Sequence, residues 1–537
     1  MATYYISTTG TNSAGRNGSV GQEWLTLSYA VTRVTTVGDI IYVNTGTYTE
    51  PNQVNVPAGV SIQGAGDTSI LILTHQGTNL FDFAMMLAST DNATHIASIS
   101  YLQIHGNSLA ARNGIFIYGR SGVSVHHCTI HDFQFSGVYF DSFTSAYCYN
   151  NSFHDNNIYN CSTRAALTTG GGYGCGLLQI AHQSGITIYN NTFNQTQRAD
   201  GQNGNCIYGV NGHHENMKIY GNTFTKPENE TLDWNFCIEL FYLEGGIEIY
   251  NNEFIGGGQH IDSGQSGTIG SYLYCLWVHN NIFRKVNQHT TIPDQISIGV
   301  DIELAHSKCI VEKNIFKNLG IGVELDLRTN NSTMDDIKIR NNLFINCGFQ
   351  NSSWDMVVLI SGEPGFTGMT FSNIYFQNNI IASNSSAVGK PSMGIHVESV
   401  GTVNGLYIQN NVFRDIVDYA YLVFRYNTGT YQNITISNNN VYHCANTNNH
   451  YLMDSATVSN LTVSNAIHQP SLFVDENNFN FNLQSTSLNV NAGTNVGITS
   501  DYIGNSVPSG SVSDIGAYEY QSVVIGNNKY FFALLNF

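Results

Sequence analysis

The chain has 537 residues, of which 20 are basic and 38 acidic, giving a net charge of -18. That length is several times an ordinary single core, so the chain is either several domains or one elongated repeat structure. The acidic balance argues against nonspecific binding to nucleic acid, because phosphate contacts need clustered Lys and Arg. Only 11% of residues are charged, and 52 are Gly, a composition typical of short strands joined by turns.

The first residues, MATYYISTTGTNS, contain neither a basic nor an apolar leader region, and no later stretch offers about 18 consecutive apolar residues. We therefore expect a protein that does not insert into a membrane, either a mature secreted form or a virion protein. Ten cysteines stand singly, without a CxxC pair. We expect most of them to be small buried hydrophobic residues rather than disulfides or zinc ligands.

Stretches near both ends resemble a known family. They are TYYISTTGTNS, EWLTLSYAVTRVTTVGDIIYVNTGTYTE, VPAGVSIQGAGDTSILI and, at 514–520, DIGAYEY. These stretches are similar to right-handed parallel β-helix proteins of the pectate-lyase-like superfamily. The resemblance implies an all-β solenoid capped by a short N-terminal helix, here roughly Leu25–Val34. It does not imply one activity, because the superfamily includes polysaccharide lyases, glycoside hydrolases, epimerases, viral tailspikes and noncatalytic adhesins.

A four-residue phrase recurs along the middle of the chain. It stands at 150–153 (NNSF), 190–193, 221–224, 251–254, 280–283, 313–316, 341–344, 378–381 and 410–413. Successive phrases are 28 to 40 residues apart, and each usually follows an alternating strand such as IEIY at 247–250. This spacing, without amphipathic helices, predicts the stacked coils of a single-stranded parallel β-helix. We expect an Asn ladder on the outside of the corner and stacked Phe or Ile side chains inside.

The organisation predicted from these patterns has four parts. They are a cap at 1–60, the parallel β-helix at 61–445, a closing region at 446–520 and an apolar tail at 521–537. Two roles remain open for the tail. It either covers the open end of the solenoid or serves as an attachment or oligomerisation peptide.

Aligning the strand that follows each corner gives a second column. Its first outward position carries Tyr139, Tyr208, Glu239, Asp262, Asp301, Glu324 and His396. The outward position two residues further along carries Asp141, Glu303, Asp326 and Glu398. Alternating apolar residues are expected to face the core. Coils stacked at about 4.8 Å would gather the acids into one patch. Like charges this close must hold a proton, bind a cation or face a basic group, and these conditions favour acid chemistry.

The acidic patch predicts a polysaccharide-cleaving site. In glycoside hydrolysis one carboxylic acid protonates the leaving oxygen, while a second carboxylate activates water or attacks the sugar. The column spacing allows either inversion or retention. The candidate catalytic residues are Asp301, Glu303, Glu324, Asp326 and Glu239. Residues predicted to bind the substrate are Tyr139, Tyr208, Phe241, Tyr242, Asp262, His306 and Arg328.

Other interpretations of the patch stay open. A lyase would use Arg328, Lys308, His306 or Tyr208 as base and, as in related lyases, Ca²⁺ held by acids. Basic residues are few, which favours hydrolysis. A noncatalytic structural or adhesive solenoid would only bind glycan, and a solvated acidic surface would have no site.

These interpretations share several expectations about partners and setting. We expect a polysaccharide partner, no required cofactor and Ca²⁺ as the candidate metal. The expected location is extracellular or on a virion surface, and the two settings differ in assembly. Because tailspikes of this fold are commonly trimers, a viral protein of this kind would be a homotrimer.

Overall fold

The computed structural model describes most of the chain. The residues outside the description are 77–81, 108–110, 163–174, 196–203, 229–234, 266–268, 270, 288–296, 349–355, 384–390, 392, 417–421, 426–428, 445–450, 454–457 and 522–537. The prediction for the tail at 521–537 therefore falls almost wholly outside the described residues. Every structural statement below concerns the described part.

Parallel β-strands make up nearly all of the fold. The chain passes in turn through three sheets, here called sheets 1, 2 and 3, and then returns to sheet 1 one coil further on. Each strand pairs in parallel with its equivalent in the next coil. The predicted all-β, single-stranded parallel β-helix is confirmed.

The strands of the three sheets follow in chain order. Sheet 1 contains Thr3–Ile6, Ile40–Val43, Ser61–Gly64, Thr94–Ser100, Ser121–His126, Ser152–His154, Thr187–Tyr189, Lys218–Tyr220, Ile247–Tyr250, Leu276–His279, His306–Glu312, Thr333–Arg340, Thr370–Gln377, Thr402–Gln409, Thr430–Ser437 and Val458–Ser464. Sheet 2 contains Gly46–Glu50, Ser69–Leu73, Gln103–His105, Thr129–His131, Asn157–Tyr159, Thr192–Asn194, Thr223–Thr225, Glu253–Ile255, Ile282–Arg284, Ile315–Lys317, Leu343–Ile345, Ile380–Ala382, Val412–Arg414 and Asn440–Tyr442. Sheet 3 contains Val54–Asn55, Phe83–Ala88, Asn113–Tyr118, Val138–Asp141, Cys148–Tyr149, Cys175–Ile180, Gln183–Ser184, Gly204–Gly209, His214–Glu215, Phe236–Gly245, Gln259–Gln265, Ile298–Glu303, Ile321–Leu327, Met356–Gly362, Met393–Ser399, Leu422–Arg425 and Tyr451–Met453.

The N-terminal helix is short and spans Leu27–Ala30. Thr26 caps it, accepting a hydrogen bond from the Tyr29 backbone N–H at 3.2 Å. The apolar side chains of Leu27 and Ala30 are buried in the first coils. Sheet 1 begins with Thr3–Ile6 and ends with Val458–Ser464, so coil strands also occur in the segments predicted as cap and closing region.

Each corner between sheets 1 and 2 is made by two residues with different conformations. The first is left-handed, with φ of 54° at Asn190, 65° at Gly221 and 53° at Asn251. Asn and Gly adopt this conformation at low cost. The second residue is a buried Asn whose amide lies inside the coil, and these amides form a continuous ladder. Its members are Asn156, Asn191, Asn222, Asn252, Asn281, Asn314, Asn342, Asn379, Asn411 and Asn439.

The position of this ladder corrects the expectation that it lies outside the corner. Asn252 Nδ2 donates to the Ile219 carbonyl at 2.9 Å and to Asn281 Oδ1 at 3.0 Å. Its Oδ1 accepts from the backbone N–H and the Nδ2 of Asn222, each at 2.9 Å. Because neighbouring coils satisfy every polar atom of the amide, the ladder needs no contact with water.

A phenylalanine column runs beside the ladder, as predicted. Its ring centroids are 4.7 to 4.9 Å apart along Phe193, Phe224, Phe254, Phe283, Phe316 and Phe344. The phrase NNSF at 150–153 is an exception. Phe153 pairs with Ile188 in sheet 1, whereas Ile158 pairs with Phe193 in sheet 2. The corner of that coil is therefore at 155–156, and the 40-residue gap after NNSF was the signal.

The segment after the last coil packs against the side of the solenoid. Phe473, Phe481 and Ile515 form an apolar cluster with Ile380 and Val412 of sheet 2. Within this segment Phe473–Asp475 and Asn480–Leu483 form a small antiparallel pair, and the 3-10 helix Glu476–Asn478 lies between the two strands. The segment thus covers the outer face of sheet 2 along several coils.

Two expectations about the class of protein concern cysteines and membranes. All nine cysteines whose side chains are described are buried and free, as expected for small hydrophobic residues in the coils. In the described part of the chain, no helix has the length and apolar character needed to cross a bilayer.

Candidate active site

The predicted acidic residues form one column across sheet 3. Strand pairing places Tyr208 beside Glu239, Glu239 beside Asp262, Asp262 beside Asp301, and Asp301 beside Glu324. A second column lies two residues further along these strands, where Glu303 pairs with Asp326. The register predicted by aligning the strands is confirmed.

These acids are buried in spite of pointing away from the core. Val300 and Ile302 are wholly buried in the solenoid interior, so the alternating side chains of the same strand face the other side. There, Asp301 is 3% exposed and Asp326 is 1% exposed. The interpretation of the patch as a solvated acidic face therefore does not describe them.

The acids face a pocket of about 270 Å³. Its walls combine carboxyl groups with apolar side chains and one guanidinium. The residues that line it are Phe236, Gln259, Asp262, Ile298, Asp301, Glu303, Glu324, Asp326, Arg328, Leu359, Ser361, Glu363, Pro364 and Glu398. Beside it, Ile298, Ile321, Met356 and Met393 form a separate buried apolar cluster. Ile298, and Leu359 packed against this cluster, line the pocket, so apolar side chains border the carboxyl groups.

Burial changes the protonation of the acids in the first column. Burial, together with the neighbouring Asp326 carboxylate, raises the pKa of Glu324 to about 8. Burial and the charges of Glu324 and Asp262 raise the pKa of Asp301 well above its usual value. Asp262 is affected in the same direction by burial and by Glu303 and Glu239, so its pKa is also raised. Glu324 therefore holds its proton at neutral pH, and the pKa values of Asp301 and Asp262 are shifted in the same direction.

Arg328 gives the acids of the second column a cationic partner. Its guanidinium pairs with Asp326, lies 3.7 Å from Glu303 Oε2 and 3.3 Å from Glu363 Oε1. Burial raises the pKa of Glu303, but Arg328 opposes the shift. Burial raises the pKa of Asp326 to about 7, again against Arg328. The pocket therefore contains carboxyl groups with and without a cationic partner.

Residues 55–224 match a family model described as the right-handed beta helix region. The chain is a right-handed parallel β-helix protein. A search of curated proteins finds no match.

Among solved structures, the chain is similar to a pectate lyase, with 13% identity, 97% of each chain covered and a TM-score of 0.33. It is also similar to the catalytic domain of an α-1,3-glucanase in complex with tetrasaccharides, with 13% identity, 74% of this chain and 64% of that chain covered, and a TM-score of 0.43. A surface adhesin of Streptococcus pneumoniae has 12% identity, 78% and 85% coverage and a TM-score of 0.34.

Glu239 lies next to the pocket of this β-helix protein but is not among its lining residues. Its carboxylate accepts a hydrogen bond from Asn205 Nδ2. Burial raises the pKa of Glu239 to about 7, against the effect of that hydrogen bond. Glu239 adjoins Asp262 in the column. Its effect on the pocket is electrostatic, because its charge contributes to the raised pKa of Asp262.

Two predicted aromatic residues continue the first column beyond Glu239. Tyr208 is 8% exposed and Tyr139 is 7% exposed. Tyr139 stacks on Phe116 at 5.1 Å between ring centroids, and its hydroxyl donates to Asp141 Oδ2 at 3.0 Å. Both side chains are packed into the wall of sheet 3, outside the lining of the pocket.

The structure does not bring Phe241, Tyr242 and His306 into the pocket lining. Phe241 covers Gly264, where an added Cβ would be 2.5 Å from the ring. Tyr242 is left-handed, with φ of 57°, and 44% exposed. His306 is buried on sheet 1 with Nδ1 2.9 Å from Cys309 Sγ. Tyr242 and His306 stand outside the regular alternation that positions the acids, and their proposed substrate contacts stay predictions.

Several pocket residues were not predicted. Glu398 and Ser361 lie in register with Asp326; the strand alignment places Glu398 in this column without selecting it for the site, and it could also have identified Ser361. Leu359 lies beside Glu324 and ends the acidic column. Glu363 follows the strand Met356–Gly362, outside its alternation, and no pattern in the sequence marked it.

Three of the acids are arranged so that they could hold a cation. One carboxylate oxygen from each of Asp262, Asp301 and Glu303 lies within 4.8 Å of the other two. Asp262 Oδ1 and Asp301 Oδ1 make no hydrogen bond within the described structure. All-oxygen sets of this kind suit Ca²⁺, so these three residues fit the candidate metal named from the sequence.

Proposed function

We propose that this β-helix protein binds a polysaccharide along sheet 3 and hydrolyses it in the acidic pocket. The observation that carries the proposal is the presence, in one pocket, of a protonated buried acid and of carboxylates held by a guanidinium. Glycoside hydrolysis needs two carboxyl groups in different protonation states. Here Glu324 and Glu303 provide them, and Arg328 makes them different.

Glu324 is proposed as the general acid. Its pKa of about 8, set by burial and by Asp326, keeps its proton available at neutral pH. Proton transfer to the leaving oxygen from a positioned acid contributes about 10²–10⁴-fold to the rate. Asp301 lies beside it on the neighbouring strand, and burial together with the charges of Glu324 and Asp262 raises its pKa as well.

Glu303 is proposed as the second carboxylate, acting as base or nucleophile. Arg328 lies 3.7 Å from it, close enough to favour the charged form without enclosing both oxygens. Asp326 binds Arg328 more closely, and we assign it the role of holding the guanidinium in place. If Ca²⁺ binds at Asp262, Asp301 and Glu303, it would add further positive charge to the pocket.

The proposed substrate is a neutral polysaccharide. The acids of the pocket outnumber Arg328, the one cation among its described lining residues, so a polyuronate would be repelled. The apolar wall formed with Ile298 and Leu359 suits the C–H face of a sugar ring. Elimination is less well supported, because the guanidinium that would act as base is already bound to carboxylates.

The first prediction tests this assignment on a panel of neutral, amino and uronate polysaccharides. Reducing-end release measures cleavage of the glycan by either reaction, and ultraviolet absorbance of the unsaturated product distinguishes elimination from hydrolysis. We expect hydrolysis of a neutral glycan, and Glu324→Gln and Glu303→Gln should each lower kcat by about 10²–10⁴-fold. NMR of the first product gives the anomeric outcome.

The control variant is Glu253→Gln, which changes a glutamate beside Arg284 on sheet 2, away from the pocket. It should leave kcat unchanged. Unsaturated product formed in step with the reducing ends would identify a lyase, and glycan binding without any product would identify a noncatalytic adhesin; either result contradicts the proposal.

A further inference from the structure

A second cluster of metal-binding residue types lies on the edge of sheet 1. One potential ligand atom from each of His127, His154 and Asp155 lies within 4.8 Å of the other two. His127 follows the strand Ser121–His126, and His154 ends the strand Ser152–His154 of the next coil. The acids of the candidate active site are on sheet 3, so the two clusters lie on different sheets.

Two of the three residues occupy corner positions with a defined backbone conformation. His127, with φ of 54°, and Asp155, with φ of 55°, are left-handed corner residues, at positions where later coils have Asn, Gly or, at 313, Lys. His154 is held by stacking, with its ring centroid 4.9 Å from His126 and 4.5 Å from Tyr189. The cluster is therefore formed by elements that the solenoid already holds rigid.

A second layer of hydrogen bonds orients the ligand groups. His154 Nδ1 lies 2.8 Å from Asp155 Oδ2, and its Nε2 lies 3.1 Å from the Ser124 hydroxyl. Ser152 donates to that hydroxyl at 2.8 Å. Because a hydroxyl oxygen has two lone pairs, Ser124 can also accept a hydrogen bond from the Nε2–H of His154 when Nδ1 binds a metal. Such outer partners fix the tautomer of a metal-binding histidine.

Asp155 is charged at neutral pH. Burial raises the pKa of Asp155, but hydrogen bonds with His154 and Asn190 lower it by more, so the net pKa lies below the usual value. Asn190 Nδ2 donates to Asp155 Oδ1 at 3.3 Å, leaving Oδ2 directed at His154. The group therefore presents one oriented anionic oxygen beside two imidazoles.

We propose that His127, His154 and Asp155 bind one divalent transition-metal ion of the Zn²⁺ or Co²⁺ class. Two imidazoles and one carboxylate are a common ligand set for these ions, and water completes the tetrahedron on the exposed side of His127. Ligands of a tetrahedral zinc are about 3.4 Å apart, from bond lengths of about 2.0–2.1 Å. Small side-chain rotations bring the three atoms from within 4.8 Å to that spacing.

The ion would connect two successive coils. His127 belongs to one coil and His154 and Asp155 to the next, where the strand Ser152–His154 pairs with Ser121–His126. Neighbouring coils of a solenoid are joined only by their shared interface, so the metal would strengthen one such interface. Binding to the folded chain alone raises its stability in proportion to the free ion.

The second prediction is tested on the full chain after chelation, with any affinity tag removed. Calorimetry with Zn²⁺ and the visible spectrum of Co²⁺ measure stoichiometry, affinity and coordination, and thermal unfolding measures stability. We expect one ion per chain, a tetrahedral Co²⁺ spectrum and a higher Tm with Zn²⁺. His154→Phe, which retains ring stacking, and Asp155→Asn, which suits the corner, should each lower the affinity by at least about 10-fold.

His131→Phe is the matched control. His131 is also stacked, at 5.1 Å from His105 and 4.7 Å from Tyr159, and lies 3.0 Å from Asp132, but it has no third ligand among the described groups. The metal affinity of His131→Phe should equal that of the wild type. The proposal fails if no ion binds, if binding is unchanged in both ligand variants, or if only Asp262→Asn with Asp301→Asn abolishes it.

Discussion

At the scale of single residues, the two corner positions have separate physical tasks. Asn251 is exposed and supplies the left-handed turn, whereas Asn252 is 2% exposed and joins three coils through its amide. The first task needs a backbone conformation that glycine also provides. The second needs a donor and an acceptor at fixed places in the interior, which only an amide of this length supplies.

The third prediction compares these two neighbours. Asn252→Ala should lower the free energy of unfolding by about 3–5 kcal/mol. The Ile219 backbone carbonyl, the Asn222 amide and the side-chain oxygen of Asn281 each lose a buried hydrogen-bond partner, at a cost of about 1–3 kcal/mol each. Asn251→Gly should cost less than about 1 kcal/mol. Equilibrium urea unfolding measures both. Equal losses for the two variants would mean that the ladder contributes little.

At the scale of elements, four neighbouring strands bring their acids into one buried surface. Glu239, Asp301 and Glu324 lie on separate strands of sheet 3, and the parallel register aligns them by construction. Each added strand contributes another carboxyl group to a region with little water. Burial raises the pKa of these carboxyl groups, so near neutral pH the folded chain retains protons, as at Glu324, that the unfolded chain releases.

The fourth prediction follows from that difference. Burial raises the pKa of Glu324 to about 8 and that of Glu239 to about 7, so the folded state binds more protons than the unfolded state above about pH 4. Stability should be highest below that pH and fall as the pH rises to about 8, by about 1.4 kcal/mol per pKa unit and group. Thermal unfolding at pH 5 and pH 8 measures it.

A matched pair of variants assigns the effect to the pocket. Glu324→Gln should reduce the difference in Tm between pH 5 and pH 8, and Glu253→Gln on sheet 2 should leave that difference unchanged. A protein that is more stable at pH 8 than at pH 5 would show that these acids are charged in the folded state.

The sequence predicted the register of this surface but not its burial. Alternation along GVDIEL and GVELDL is enough to align Asp301 with Glu324 once the coil spacing is known. Whether such a face meets water depends on the side chains around it, here those of a pocket that Ile298 and Leu359 also line. The same limit explains the ladder: a polar residue at a turn suggests solvent, and only the stacked structure shows amides satisfying one another.

At the scale of the whole molecule, the coils and the closing segment have separate hydrophobic cores. The coils share one continuous core along the solenoid, whereas the segment after them forms its own cluster on the outer face of sheet 2. In a solenoid each coil contacts only its neighbours. Damage to the closing segment should therefore remain local.

The fifth prediction is that Phe481→Ala loosens the closing segment alone. Phe481 is fully buried in the cluster on sheet 2, and its loss should cost about 3–5 kcal/mol there. Hydrogen exchange should accelerate at 473–483 and stay slow in Ile247–Tyr250. Phe254→Ala, in the coil column, should give the opposite pattern; matching patterns would indicate one cooperative unit.

The Asn ladder makes the coils interchangeable to the scaffold. Excising 282–314 would leave the corner at Asn281 followed by the strand Ile315–Lys317, and the amide of Asn281 would meet that of Asn342 as its new neighbour. On sheet 3 the same excision would remove Asp301 and Glu303 and bring Asp262 beside Glu324. Gain or loss of a coil during evolution can thus rewrite the chemistry of one flank while the rest of the architecture is inherited intact.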